Sequence, residues 1–205
     1  VTSTQLSTDY ELSKFKALGT NLISASVLPA AAGGSSKVVS QLHLSDMRSF
    51  YAASKQIKVV APYVQTYGKT QFKGKNLASS MVLGVTDDFY SILKIQVARG
   101  RSVSMLDGIR PYCMIGAGLA KKIQQTGSDP LGAKILVGNQ LLTVVGVARP
   151  HKRDMFLFMD IDNAVILPIP AAESLSADAN IHNLLIRLSA HPNLKYIKPS
   201  TEYLK

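Results

Sequence analysis

The sequence predicts an α+β protein in which a small α/β unit is inserted into a discontinuous one. Three observations lead there. A strand–helix–strand pattern occupies residues 21–67, a near copy of it occupies residues 164–189, and the stretch between them is too long and too regularly patterned to be a loop.

Each element has a local cause. In TQLSTDYELSKFKAL, residues 4–18, Leu6, Tyr10, Leu12, Phe15 and Leu18 recur at three- and four-residue spacings, which predicts a short amphipathic helix stopping near Gly19. NLISASVLPA then alternates as a strand does and runs into the loop AAGGSSK. Ser45 can cap a helix that carries Leu44, Met47, Phe50 and Tyr51 on one side, and IKVVAPYVQTYG is a second strand. At the other end AVILPIP is a strand, Pro170 opens a short helix reaching Leu175, and NIHNLLIRLS closes the second half. Two such halves fit a split, ferredoxin-like α+β sandwich.

Between the halves, Thr86 can cap a helix with Asp87 and Asp88 in its positive first turn and with Phe89, Ile92 and Leu93 on one face. IQVARGRSVS follows, then the strand YCMIG, the helix AGLAKKIQQ and a stop at Gly127. KILV and QLLTVVGV flank Gly138-Asn139, which reads as a two-residue hairpin. The division is therefore 1–19, a leading helical segment; 20–82, the first half of the outer unit; 83–150, the inserted unit; and 151–205, the second half, with PHKRD as the returning linker.

Composition narrows the class. With 46% hydrophobic and 18% charged residues, a chain of 205 residues can bury a substantial core. Its net charge of +10 is uneven: residues 1–84 hold nine Lys/Arg against three Asp/Glu, whereas residues 149–205 hold seven against six. The positive field belongs to the N-terminal part, where acidic lipid, glycan or nucleic acid would be attracted. Cys113 is the single cysteine, so no internal disulfide forms, and its apolar run predicts a small buried hydrophobe. No apolar run reaches the roughly 18–20 residues needed to span a bilayer. The opening Val-Thr-Ser-Thr lacks an initiator Met, which points to an excised fragment.

Catalytic and cofactor patterns do not assemble. Gly116 and Gly118 open a strand–turn–helix as a dinucleotide fingerprint does, but Lys121 stands where its third glycine belongs. Asp129 and Asp154 fall too near and too far to be the ribose-binding acid. GGSSK and GKNLASS lack phosphate-loop spacing, and no G-x-S-x-G elbow occurs. His43, His151, His182 and His191 are scattered without metal-ligand spacing. Asp87 and Asp88 point to different helix faces and serve as first-turn acids. No cofactor, metal site or catalytic residue is expected.

One charged cluster remains. Lys69, Lys73 and Lys75 crowd a predicted hairpin beside Tyr63, Tyr67 and Phe72, the mixture of cations and aromatics that can hold single-stranded nucleic acid. A solvated hairpin with its aromatics turned inward is the competing reading, and no RNA-binding signature accompanies the cluster.

The order of the blocks resembles the periplasmic domain of MacB-like ABC transporter permeases, the group that includes the LolC and FtsX types. LGTNLISASVLP, 18–29, is similar to the family's passage from its first membrane helix into its first strand. VLGVTDDFYSILKIQVARGRSVSMLDG, 82–108, resembles its best-marked block, with Gly84, Asp88, Phe89, Tyr90, Gly100, Arg101 and Asp107 on the pattern. Gly116, Leu119 and Ala120 match the next strand and helix. Pro130, Leu131, Gly132, Val145, Gly146 and Val147 match the hairpin block at 129–148, and AVILPI resembles the returning strand. The likeness covers residues 17–189. The family continues with a further helix after its last strand, where this chain has only SAHPNLKYIKPSTEYLK, implying a shortened second half.

That resemblance implies a porter subdomain built from the two outer halves and a sabre subdomain at 83–150. It also implies an extracytoplasmic domain of an inner-membrane permease, with no chemistry of its own. The partners implied are a second permease copy, a cytoplasmic ATP-binding subunit or domain and a periplasmic adaptor; no nucleic acid is expected. Motion driven by ATP would pass through the leading helix as a stalk. A LolC-like role in lipoprotein release, or an FtsX-like control of cell-wall hydrolases, would use the same fold. From another class, the lysine cluster would make a soluble polyanion-binding module. In the motif block, Gly84, Gly100 and Gly146 are expected at tight turns or close backbone approaches, and Arg101 is expected to pair with Asp107 or Asp88.

Overall fold

The computed structural model describes residues 22–26, 44, 56–151, 159–175 and 181–189. The leading helix expected at 4–18, the helix expected after Ser45, most of the returning linker and the tail beyond 189 lie outside the described residues. Among those that are described, no helix is long and apolar enough to cross a membrane.

The chain builds β1 (Leu22–Ser26), β2 (Ile57–Phe72), β3 (Lys75–Val85), α1 (Asp87–Leu93), β4 (Val97–Gly100), β5 (Tyr112–Ile115), α2 (Ala117–Gln124), β6 (Lys134–Val137), β7 (Gln140–Ala148), β8 (Ala164–Pro168), α3 (Ile169–Leu175) and β9 (Asn183–Leu188). Short 3₁₀ turns occur at Met105–Asp107 and Ile161–Asn163. Local chemistry explains most boundaries. The β2–β3 hairpin turns through Lys73 and Gly74, both at positive φ, the requirement of the mirror-image turn that matches strand twist. Gly138 begins the two-residue β6–β7 turn, and Pro170 occupies the first turn of α3, where its missing N–H costs nothing.

One expectation is corrected in detail. Thr86 stands at the N-cap of α1, but its hydroxyl makes no capping bond; its carbonyl instead accepts the Phe89 N–H at 3.1 Å.

All nine strands join one sheet: eight follow the order β1-β9-β2-β3-β8-β5-β7-β4, and β6 lies off that path. β9 lies between β1 and β2 and is antiparallel to both, so the two outer halves interleave. β3 runs unbroken past residue 82 and pairs in parallel with β8. β6 bonds β7 on one side and the far end of β2 on the other, through Thr70 opposite Val137. That contact closes β2, β3, β8, β5, β7 and β6 into a ring.

Successive residues of the central strands turn to opposite faces, and both faces are covered. Val165 and Leu167 of β8 pack with Leu119 and Ile123 of α2 and Ala172 of α3. Ala164 and Ile166 pack on the other side with Phe89 and Ile92 of α1. Phe89 is fully buried and meets Tyr63 with ring centroids 5.5 Å apart. Cys113 is buried as expected, and burial pushes its thiol far above the usual range.

The chain enters and leaves at one corner. Leu22, the first residue of β1, stands opposite Arg187 near the end of β9, and the Ser189 N–H donates to the Gln56 carbonyl at 2.8 Å.

Candidate functional site

The segment from Gly100 to Arg110 forms the best-defined surface feature. β4 ends at Gly100 with φ +74, a value that disfavours any side chain, and a Cβ there would run into the Val145 carbonyl. The turn brings the Arg101 N–H to the Val145 carbonyl at 3.0 Å. It also lays the Arg101 carbonyl directly over Gly146, where a Cβ would strike it. Gly100 and Gly146 are thus two sides of a single backbone crossing.

From that crossing the Arg101 side chain reaches back to Asp107. Nη1 and Nη2 donate to the two carboxylate oxygens at 2.8 Å each, the fork-on-fork arrangement in which a guanidinium holds a carboxylate most firmly. Of the two acids that the sequence offers Arg101, Asp107 is the partner. Nη1 also donates to the Ser102 carbonyl at 3.0 Å, and the guanidinium lies 5.6 Å from the Tyr112 ring centroid. Asp107 further accepts the Ser104 N–H at 3.0 Å while the Ser104 hydroxyl accepts the Leu106 N–H, a reciprocal capping box around one 3₁₀ turn. The Arg101 guanidinium, helped by the Ser104 N–H, holds the Asp107 carboxyl below the usual carboxylate range despite its burial. Under the turn, burial raises the Tyr90 phenol well above its ordinary value, with the Asp87 and Asp107 charges adding to the effect, so Tyr90 is a neutral support.

This anchored turn presents apolar side chains outward. Leu106 is 93% exposed and Ile109 76% exposed. Arg110 follows, exposed and with no carboxylate within ion-pair distance among the described residues. The turn thus displays two aliphatic side chains and a guanidinium to solvent, an arrangement that can make apolar and charged contacts.

The remaining positions on the motif pattern are structural neighbours of this knot or lie deeper. A Cβ on Gly84 of β3 would come within 2.5 Å of the Ala172 Cβ of α3, so that glycine sets the seating of the helix. Gly132 carries φ +79 in the turn before β6. Asp88 is exposed in the first turn of α1, and no ion pair forms to it among the described residues. At Gly116 the backbone of α2 abuts the Ile161 and Asp162 carbonyls, and a Cβ on Gly118 would stand 2.8 Å from the Asn163 Oδ1. Acceptor oxygens thus lie against both glycines of that turn.

The lysine hairpin divides. Phe72 and Tyr63 turn into the core, and only Tyr67, 65% exposed, stands on the outer face with Lys69. The Lys73 ammonium donates to the Ser128 hydroxyl at 2.9 Å and lies 5.3 Å from the Phe72 ring centroid. Lys75 is exposed beside it. A shallow hollow of about 400 Å³ lies at this seam, lined by Phe72, Lys73, Ser128, Leu131 and Lys134 among others. Nearby, Arg99 and Asp129 form an exposed bidentate pair at 2.8 and 2.9 Å. Among the described residues no group of three or more His, Cys, Asp or Glu could hold a metal ion.

Leu106 and Ile109 escape a motif search because apolar residues in a turn resemble core residues in a list. The usable signal is their setting: SVSMLDGIRP joins a capping-box spacing, Ser104 to Asp107, to an Asp-Gly turn. Of the apolar side chains in that turn, Met105 packs against the core, whereas Leu106 and Ile109 are left outside it.

The sequence profile of the MacB-like periplasmic core domain family matches residues 3–196. A protein of Pseudomonas fluorescens named "Probable export ATP-binding/permease protein" is 26% identical over 187 residues, covering 87% of this chain and 27% of that protein. The macrolide export ATP-binding/permease protein MacB of Acinetobacter baylyi is 21% identical over 138 residues, which is 65% of this chain and 20% of the relative. The chain thus spans about a quarter of the length of these curated relatives or less. In fold, it is similar to the periplasmic region of MacB from Actinobacillus actinomycetemcomitans, with a TM-score of 0.61 at 17% identity, covering 89% of this chain and 83% of that one. It is also similar to the extracellular domain of the ABC-type transporter YknZ from Gram-positive bacteria, with a TM-score of 0.66 at 14% identity, covering 85% and 87%.

Proposed function

This chain belongs to the MacB-like periplasmic core domain family, and from that premise we propose that it is the extracytoplasmic domain of an ABC exporter permease, moved as a body by ATP hydrolysis across the membrane. The observation that carries this reading is the shared corner at which the chain enters β1 and leaves β9, Leu22 opposite Arg187. Two attachments side by side make a lever that follows its supports. Nine strands in one sheet, its central strands covered on both faces, pass a displacement on without local bending. In this reading residues 20–82 and 151–205 act as the porter part and residues 83–150 as the sabre part. A second permease copy and a cytoplasmic ATP-binding partner supply the motion, and a periplasmic adaptor receives it. The domain contributes shape and stiffness and no catalytic group.

The test uses the full-length transporter in lipid. A flexible Gly-Ser insertion of about six residues, placed just before Leu22 or just after Ser189, lets the domain lag behind its supports. Hydrolysis of ATP is expected to continue while export is lost. Export that persists with both insertions present would overturn the lever.

A further inference from the structure

We infer that the turn from Ser104 to Arg110 is a docking knob, whose occupant is a different polypeptide offering an apolar socket with carboxylates on its rim. The inference deepens the exporter reading and rests on it for the setting in which a partner is met.

Exposure comes first. Isolated surface leucines are ordinary. Here, however, two large aliphatic side chains three residues apart are both mostly in water, at 93% and 76% exposure. Order comes second. The same few residues carry the bidentate Arg101–Asp107 pair, the Ser104 capping box and the Gly100–Gly146 backbone crossing. Gly108, at φ +56, then redirects the chain and its N–H closes the turn onto the Met105 carbonyl at 3.2 Å. The constraint does not come from burial of Leu106, which is 93% exposed. It serves binding, since a side chain already held in its bound position loses little entropy on docking.

Charge selects the occupant. Arg110 is exposed and makes no close ion pair among the described residues, its nearest acid Asp107 being held by Arg101, and Arg101 leaves half of its side chain in water beside that pair. A second copy of this chain meeting the same surface would set these guanidiniums against their own kind, on a protein of net charge +10. A socket edged with Asp or Glu gains from the same charges. An anionic bilayer would also attract arginine and aliphatic groups, but its affinity grows with buried area and gains nothing from a fixed turn. The rigid knob therefore favours a shape-reading protein.

The experiment is site-specific photo-crosslinking in the full-length transporter in its own cells. A benzophenone amino acid replaces Leu106 in one strain and, as a control, the likewise exposed Tyr67 in another. The expected result is an adduct at position 106, and not at 67, with a heterologous polypeptide whose crosslinked peptide contains apolar residues and carboxylates. In the same background Ile109→Asp is expected to lower adduct yield by about tenfold or more, and Arg110→Glu by about threefold to tenfold. Because both side chains are exposed, the melting temperature stays as in the parent. An adduct with lipid, an adduct with a second copy, no adduct, or equal yields at 67 and 106 would each overturn the knob. So would a heterologous adduct indifferent to Ile109→Asp. ATP hydrolysis and export by the parent report separately on the exporter reading, so failure of that reading is distinguishable from failure of the knob.

Discussion

The Arg101 guanidinium and the Asp107 carboxylate share two parallel hydrogen bonds of 2.8 Å, with the arginine half in water and the acid almost wholly out of it. That asymmetry decides which partner matters more. Replacing Arg101 by Met strands a buried carboxylate that keeps only the Ser104 N–H, and is expected to cost about 1–2 kcal/mol, the low part of the range for charged hydrogen bonds because Arg101 is solvent-screened. Thermal unfolding reads this directly. An unchanged melting temperature would refute the anchoring role.

The same pair makes stability depend on pH in a stated direction. The Asp107 carboxyl is lower in the folded protein than in the unfolded chain, chiefly through Arg101. Its contribution is therefore full above the ordinary carboxylate value of about 3.9 and is lost as pH falls below it, through the folded value. Urea midpoints measured across that window should fall less steeply with acid in Asp107→Asn than in the parent. Parallel curves would show that Asp107 is not the group responsible.

Gly146 lies under the Arg101 carbonyl with no room for a methyl group. Gly146→Ala must push β4 and β7 apart, with an expected loss of about 1–3 kcal/mol in denaturant unfolding. Gly132→Ala has open space and meets only the backbone penalty of φ +79, so it should cost less. The reverse ranking would contradict the crossing.

Lys73 occupies a left-handed conformation, φ 49, ahead of Gly74 in the β2–β3 turn. Asn is the favoured residue at that place in a mirror-image turn. Lys73→Asn is therefore expected to stabilise the protein by about 0.5–1 kcal/mol, offset in part by the lost Ser128 contact. A lower melting temperature would mean that the Ser128 and Phe72 contacts outweigh the turn.

Much of this architecture is legible in short windows. The pairing of Gly138 with Asn139 between two alternating runs specifies the β6–β7 hairpin. The Phe89, Ile92 and Leu93 spacing specifies α1 and its buried face, and Pro170 marks the start of α3. These features depend on neighbours a few residues apart, so composition and periodicity carry them. Nothing local says that β9 inserts between β1 and β2, that β8 lies beside β3, or that β6 reaches the far end of β2 to close a ring. Strand edges are chemically alike, and which edges meet depends on how the whole set of apolar faces can be buried together. The same holds at the knob. Arg101 has two acids within reach along the chain, and only the fold of the turn brings Asp107 to it while leaving Leu106 and Ile109 outside. Patterning settles which side chains want burial, and the three-dimensional packing settles which of them are denied it.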